Sequence, residues 1–123
     1  MKIDLAKAWV NCTNVGRGFW QYTLFCEEVA APVGFVWGIS FGAGDGKKNR
    51  FEVFGSFVAI WARRQGVRTQ INKTILQHHD VVTSQNGSAD DGAQFMRATG
   101  YRRDAKTGLW ALTQRATRNR SAA

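Results

Sequence analysis

The sequence predicts an α+β domain: a mixed, mostly antiparallel sheet with two helices packed on it, in the order β-β-β-α-β-α-β-β after a short N-terminal segment. Three observations carry this expectation. Runs rich in aromatic and β-branched residues fill the first sixty positions. Two helix-compatible windows, one after Gly66 and one ending at Gly100, alternate with short strand-like runs in the second half. No linker-like stretch and no internal repeat divides the 123 residues, so residues 1–114 are read as one domain and 115–123 as a basic tail.

Residues 1–18 are ambiguous: Asp4-Leu-Ala-Lys-Ala-Trp suits a helical turn or two or a first strand, and Gly16-Arg-Gly18 marks a turn. Trp20 to Glu27 alternates large and polar residues, as a strand does, and Ala31-Pro32 breaks it. Val33 to Phe41 reads as the second arm of a hairpin, and Gly42 to Asn49 as a long Gly-rich turn whose spacing fits no Walker-type lysine motif. Phe51 to Ile60 is nearly all apolar, which suits a central strand buried on both faces. Thr69 to His79 reads as a helix with Ile71, Ile75 and His78 on one face and Val67 one turn earlier. Asp80 to Ser84 is a short strand. Ser88-Ala-Asp-Asp91 has the form of a capping box, opening a helix that Gly100 ends as a C-cap. Tyr101–Asp104 and Leu109–Thr113 form a closing hairpin, with an edge on which two subunits could pair as a homodimer.

The balance of 17 Lys+Arg against 9 Asp+Glu, a net charge of +8, favours an anionic partner: a phosphorylated cofactor, nucleic acid or an acidic protein. Cys12 and Cys26 are isolated, without the spacing of a metal site. No stretch has the length of a membrane span and the N-terminus lacks the apolar core of a signal peptide, so a cytoplasmic location with reduced thiols and no membrane partner is expected.

The segment FEVFGSFVAIWARRQGVRT, Phe51 to Thr69, holds the clearest chemical signal. A strand runs into a basic, Gly-containing turn and then a helix, a layout that turns backbone N–H groups and positive charge toward a phosphate. Arg63-Arg64-Gln65-Gly66-Val67 resembles the Arg/Gln-x-x-Gly-x-Gly/Ala signature of the Gcn5-related N-acetyltransferases, and the blocks GAQFMRATGY and GYRRDAKTGLWAL follow in that family's order, so the resemblance covers roughly residues 20–114. It implies an acyl-CoA N-acyltransferase-like fold and acetyl transfer from acetyl-CoA to a primary amine, with no metal. By the same resemblance, the backbone of Ser56, Phe57 and Val58 would pair with the pantetheine arm, one N–H polarising the thioester carbonyl. Arg63, Arg64, Gln65, Gly66, Val67, Arg68 and Thr69 would wrap the pyrophosphate. Glu52, six residues before Val58, matches the position of the general base in histone-type members and is preferred to Glu27 or Glu28.

Three departures stand out. Arg68 occupies a position the family gives to Gly or Ala, where a long side chain either closes the site or adds a cation to it. Met96, beside Phe95, stands where the family often has the Tyr that protonates the leaving thiolate. The segment before Trp20 is also too short for the strand and two helices usual in the family. That leaves the acceptor pocket open, as suits a protein lysine or an aminoacyl-tRNA, or completed by a second subunit. The competing reading is a non-catalytic module of the same fold that binds nucleic acid or an acidic partner through its basic surface, Arg102-Arg103, the Arg-rich tail and aromatics among Trp20, Trp37, Trp61 and Trp110. Most of those tryptophans are read more simply as core or hairpin packing.

Overall fold

A computed structural model describes residues 2–42, 49–85 and 90–113, with side chains of the second helix from Gln94 onward. The expected tail beyond Thr113, the tip of the Gly-rich turn and Ser88 of the expected capping box lie outside the described residues. Seven strands form one sheet in the order β1-β2-β3-β4-β5-β7-β6. These are β1 (Ala8–Gly16), β2 (Phe19–Cys26), β3 (Gly34–Phe41), β4 (Arg50–Val58), β5 (Val81–Ser84), β6 (Arg102–Arg103) and β7 (Trp110–Thr113). Helix α1 (Val67–Leu76) joins β4 to β5, the one parallel pair, and α2 (Asp90–Ala98) follows β5. The other pairs are antiparallel.

The ambiguous N-terminal segment supplies β1, one strand more than expected. It turns into β2 through Arg17 and Gly18, both at positive φ (50° and 82°), the backbone pattern of a two-residue hairpin turn. A chain reversal this tight leaves no room for helices between β1 and β2. The consequence reaches β4, which is covered on one face only and not on both: Phe51 and Val53 are buried, while Phe54 and Phe57 are exposed.

The covered face combines aliphatic side chains with the buried rings of Tyr22 and Phe51. Leu24, Val36, Val53, Val82 and Leu112 share one buried cluster with Val67, Ile71 and Ile75 of α1, and each such burial contributes about 1.5–3 kcal/mol. The helical periodicity read in the sequence places α1 on this face. His78, expected to share the face of Ile71 and Ile75, lies past the end of α1, exposed, with Nδ1 3.5 Å from the Tyr22 hydroxyl. His79 is the buried one. Its Nδ1 faces the Ile75 carbonyl (3.1 Å) and so carries the proton, leaving Nε2 to accept from Ser40 Oγ at 2.8 Å. Gly100 (φ 98°) ends α2: its N–H bonds the Arg97 carbonyl and that of Tyr101 the Met96 carbonyl, a Schellman closure.

The opposite face of β1–β4 is aromatic and open. Alternation along the strands puts Trp9 beside Phe25, Phe35 beside Phe57, and Phe19 against Trp37 and Phe54. A bulge at Trp37/Gly38 opposite Val53–Gly55 turns Phe54 onto this side. Gly38 is required there, because a Cβ would enter the Glu52 backbone carbonyl. Of the tryptophans, Trp110 is buried and Trp20 packs against the core, whereas Trp9, Trp37 and Trp61 are exposed.

Candidate functional site

Strand β4 pairs with β5 only from Arg50↔Val81 to Val53↔Ser84. Beyond that point β4 runs on to Val58, held on its other side by β3, and the two strands part. A cavity of about 860 Å³ lies where they separate, within the size range of small-molecule and cofactor sites. Ser56, Phe57 and Val58 form one wall. Arg63, Arg64, Gly66, Val67, Arg68 and Thr69 form the end around the start of α1. Gln94, Phe95 and Ala98 of α2, with Thr99 just after it, close the third side.

Nine of the ten residues named from the sequence as cofactor contacts therefore border one space. Gln65 does not. Its amide ties the turn to the N-terminal segment, Oε1 accepting from the Ile3 N–H (2.6 Å) and Nε2 donating to the Trp61 carbonyl (3.1 Å). The α2 residues were not singled out in the sequence, although their spacing, 94, 95, 98 and 99, is that of one helix face.

The turn is built for its position. Gly66 caps α1 at φ 83°, a left-handed conformation that costs glycine little, and preceding Arg64 shares it at φ 64°. No side chain caps the helix and its first turn carries no acid, so the unpaired N–H groups and the positive end of the dipole face the cavity. Arg63 Nε donates to the Val58 carbonyl at 3.3 Å, fastening the turn to the strand that forms the opposite wall.

Arg68 neither closes the cavity nor swings into solvent. It is 4 % exposed and lies back along α1, Nε donating to Asn72 Oδ1 and Nη2 to the Tyr101 hydroxyl, both at 3.2 Å. That hydroxyl donates in turn to Asn72 Oδ1, at 3.2 Å. The guanidinium also sits 5.8 Å from the ring centres of Phe95 and Tyr101. These hydrogen-bond partners are neutral. A buried cation at the positive end of a helix, in a cavity wall, is costly unless an anion joins it. A phosphorylated ligand at this wall would supply that anion.

Glu52 does not line the cavity. It is half-buried on β4, one residue short of where β4 leaves β5, and its pleat places it on the open face beside Ile39 and Thr83. Thr83 Oγ1 is buried with no hydrogen-bond partner among the described residues. Met96 is buried, and Phe95, not Met96, reaches the cavity. Among the described residues no cluster of His, Cys, Asp and Glu could hold a metal, and no helix is long and apolar enough to cross a membrane.

No protein-family model matches the sequence, and no curated protein matches it. Among solved structures, the NatC complex bound to Gag peptide and CoA is similar, with a TM-score of 0.51 and 12% identity over 76% of this chain and 70% of the other. At that identity the likeness is one of fold. A mostly antiparallel seven-stranded sheet whose single parallel pair opens over a helix N-terminus, set beside that neighbour, gives this chain an acyl-CoA N-acyltransferase-like fold.

Proposed function

We propose that the protein is an N-acetyltransferase that takes its acetyl group from acetyl-CoA and delivers it to a primary amine. The observation that carries this reading is the buried Arg68 beside the uncapped start of α1, in the wall of the cavity between β4 and β5. Among the described residues, cationic groups and uncapped N–H groups meet there with no acidic side chain in the cavity wall, and a pyrophosphate would supply an anion. The similar structure was solved with CoA bound, which supports the same class of ligand here.

The roles follow from position. Thr69, Val67 and the Arg63–Gly66 turn hold the phosphates, and Ser56 to Val58 offer strand backbone to the pantetheine arm. The thioester supplies an activated acetyl carbon. As the amine nitrogen bonds to that carbon the C–S bond breaks, the thiolate leaves, and the amine must shed a proton. Glu52, at the root of the cleft on the open face, is the base we assign to it, directly or through one water. With Met96 in place of a hydroxyl donor, the thiolate takes its proton from solvent.

The test is thermal denaturation with acetyl-CoA, CoA and ATP. A ligand at about a hundred times its dissociation constant adds about 2.7 kcal/mol to stability. A saturable shift with both CoA species, larger than with ATP, is expected; its absence would overturn the reading. Glu52→Gln should then keep that shift while lowering amine acetylation about 10²–10⁴-fold.

A further inference from the structure

The face of β1–β4 turned away from both helices is not accounted for by the cavity. Trp9, Trp37, Phe41, Phe54 and Phe57 are each between 36 % and 47 % exposed, an area of large rings that a folded monomer rarely leaves in water without a use. Three features say what covers it. The first is residue class: the covered face of the same strands mixes Leu24, Val36 and Val53 with the buried rings of Tyr22 and Phe51, whereas this one carries most of the strands' aromatic rings, and the polar side chains of Asn11, Thr13 and Gln21 stand between them, Gln21 Nε2 donating to Thr23 Oγ1. Rings interleaved with amides and hydroxyls on a four-stranded sheet suit stacking and edge recognition of unpaired bases. The second is span. Four strands cover about 14 Å, enough for several successive bases.

The third feature is charge. The chain carries a net +8, Arg50 lies 4.4 Å over the Phe41 ring, Arg17 projects from the β1–β2 turn and Arg102 stands on the same side of the sheet. Glu52 is the carboxylate on this face among the described strands. A second copy of the chain would bring +8 against +8, whereas a polyanion is drawn to this surface and releases counterions on binding. We infer that the open aromatic face binds single-stranded nucleic acid, bases stacking on the rings of β1–β4 and phosphates meeting Arg17, Arg50 and Arg102. This does not rest on the acetyltransferase reading, although Phe57 belongs to both surfaces and a bound strand would run to the mouth of the cavity.

The test is a titration of the intact chain with a labelled oligouridine of about a dozen nucleotides, read by anisotropy and tryptophan quenching. Binding is expected to weaken steeply between about 50 and about 200 mM salt, and a duplex of the same length should bind less well. Replacing Trp9→Leu and Phe54→Leu together keeps the face apolar but removes stacking, and should weaken the single strand about tenfold or more with CoA binding unchanged. If that variant does not fold, shielding of the wild-type tryptophans from iodide by the oligonucleotide serves instead. No binding at about 50 mM salt, or equal binding by the folded Leu variant, would overturn the inference. So would assembly of the chain into a dimer that shields the same tryptophans, or capture of an acidic amphipathic peptide by wild type and Leu variant alike with no oligonucleotide bound.

Discussion

The same four strands present two unlike surfaces. On one side Leu24, Val36 and Val53 interlock with Ile71 and Ile75 and are sealed from water. On the other, one residue along each strand, Phe25, Trp37 and Phe54 lie under no helix. Because alternate residues face opposite ways, a slip of one position would exchange the two surfaces entirely. The covered side therefore fixes the register, and the open side is free to be chosen for something other than folding. The cavity sits at the seam between them, with α1 and α2 on the covered side and Glu52 reaching the open one.

The largest effect should come from breaking the covered side. Ile71→Ala is expected to cost about 2–5 kcal/mol in urea unfolding, as deletion from a packed core does. Next is the seam. On the proposed reading, in which Arg68 gives a phosphate a charged hydrogen-bond partner, Arg68→Met should weaken CoA binding in calorimetry roughly tenfold to a hundredfold. It should leave stability unchanged or raise it, since a cation with neutral partners no longer has to be buried. Lost stability with unaltered CoA affinity would make Arg68 a framework residue only.

A pH series sharpens the contrast further. Burial lowers the His79 pKa from its ordinary value, more than the Ile75 carbonyl and Asp80 raise it, with His78 also lowering it. The unfolded chain then binds more protons than the folded one near pH 6, so stability should be full above about pH 6.5 and fall as the solution is acidified. His79→Gln should flatten that slope. The smallest effect belongs to the open side: Trp9→Leu should change stability by no more than about 0.5 kcal/mol.

The sequence carried the architecture well where its pattern had one cause. Ile71, Ile75 and Val67 at helical spacing located α1, and Gly100 marked the end of α2. Strand β1 was not legible because it is an edge strand with exposed positions, and Asn11, Thr13 and Asn14 blur its alternation. The apolar run of β4 suggested burial on two sides because composition does not reveal that a two-residue turn has removed any cover. The turn that leads into α1 was readable from Gly66 and its arginines. The path of Arg68 was not, since it depends on Tyr101, thirty-three residues away, and on Asn72 at one helical turn. The hydrogen bonds of Gln65 were not legible for a similar reason: one partner is Ile3, sixty-two residues distant.

The two-residue turn at Arg17–Gly18 also bears on the order of assembly. With it, β1 to β4 form a meander in which every strand pairs with its immediate successor, so its closing loops are short. The β4–β5 pair must wait for a crossover through α1. Loop-closure cost favours the meander as the nucleus, with the parallel pair and its cleft docking later. We expect substitutions in β2 and β3 to slow refolding and those in β5 to speed unfolding, a partition that stopped-flow kinetics would read directly.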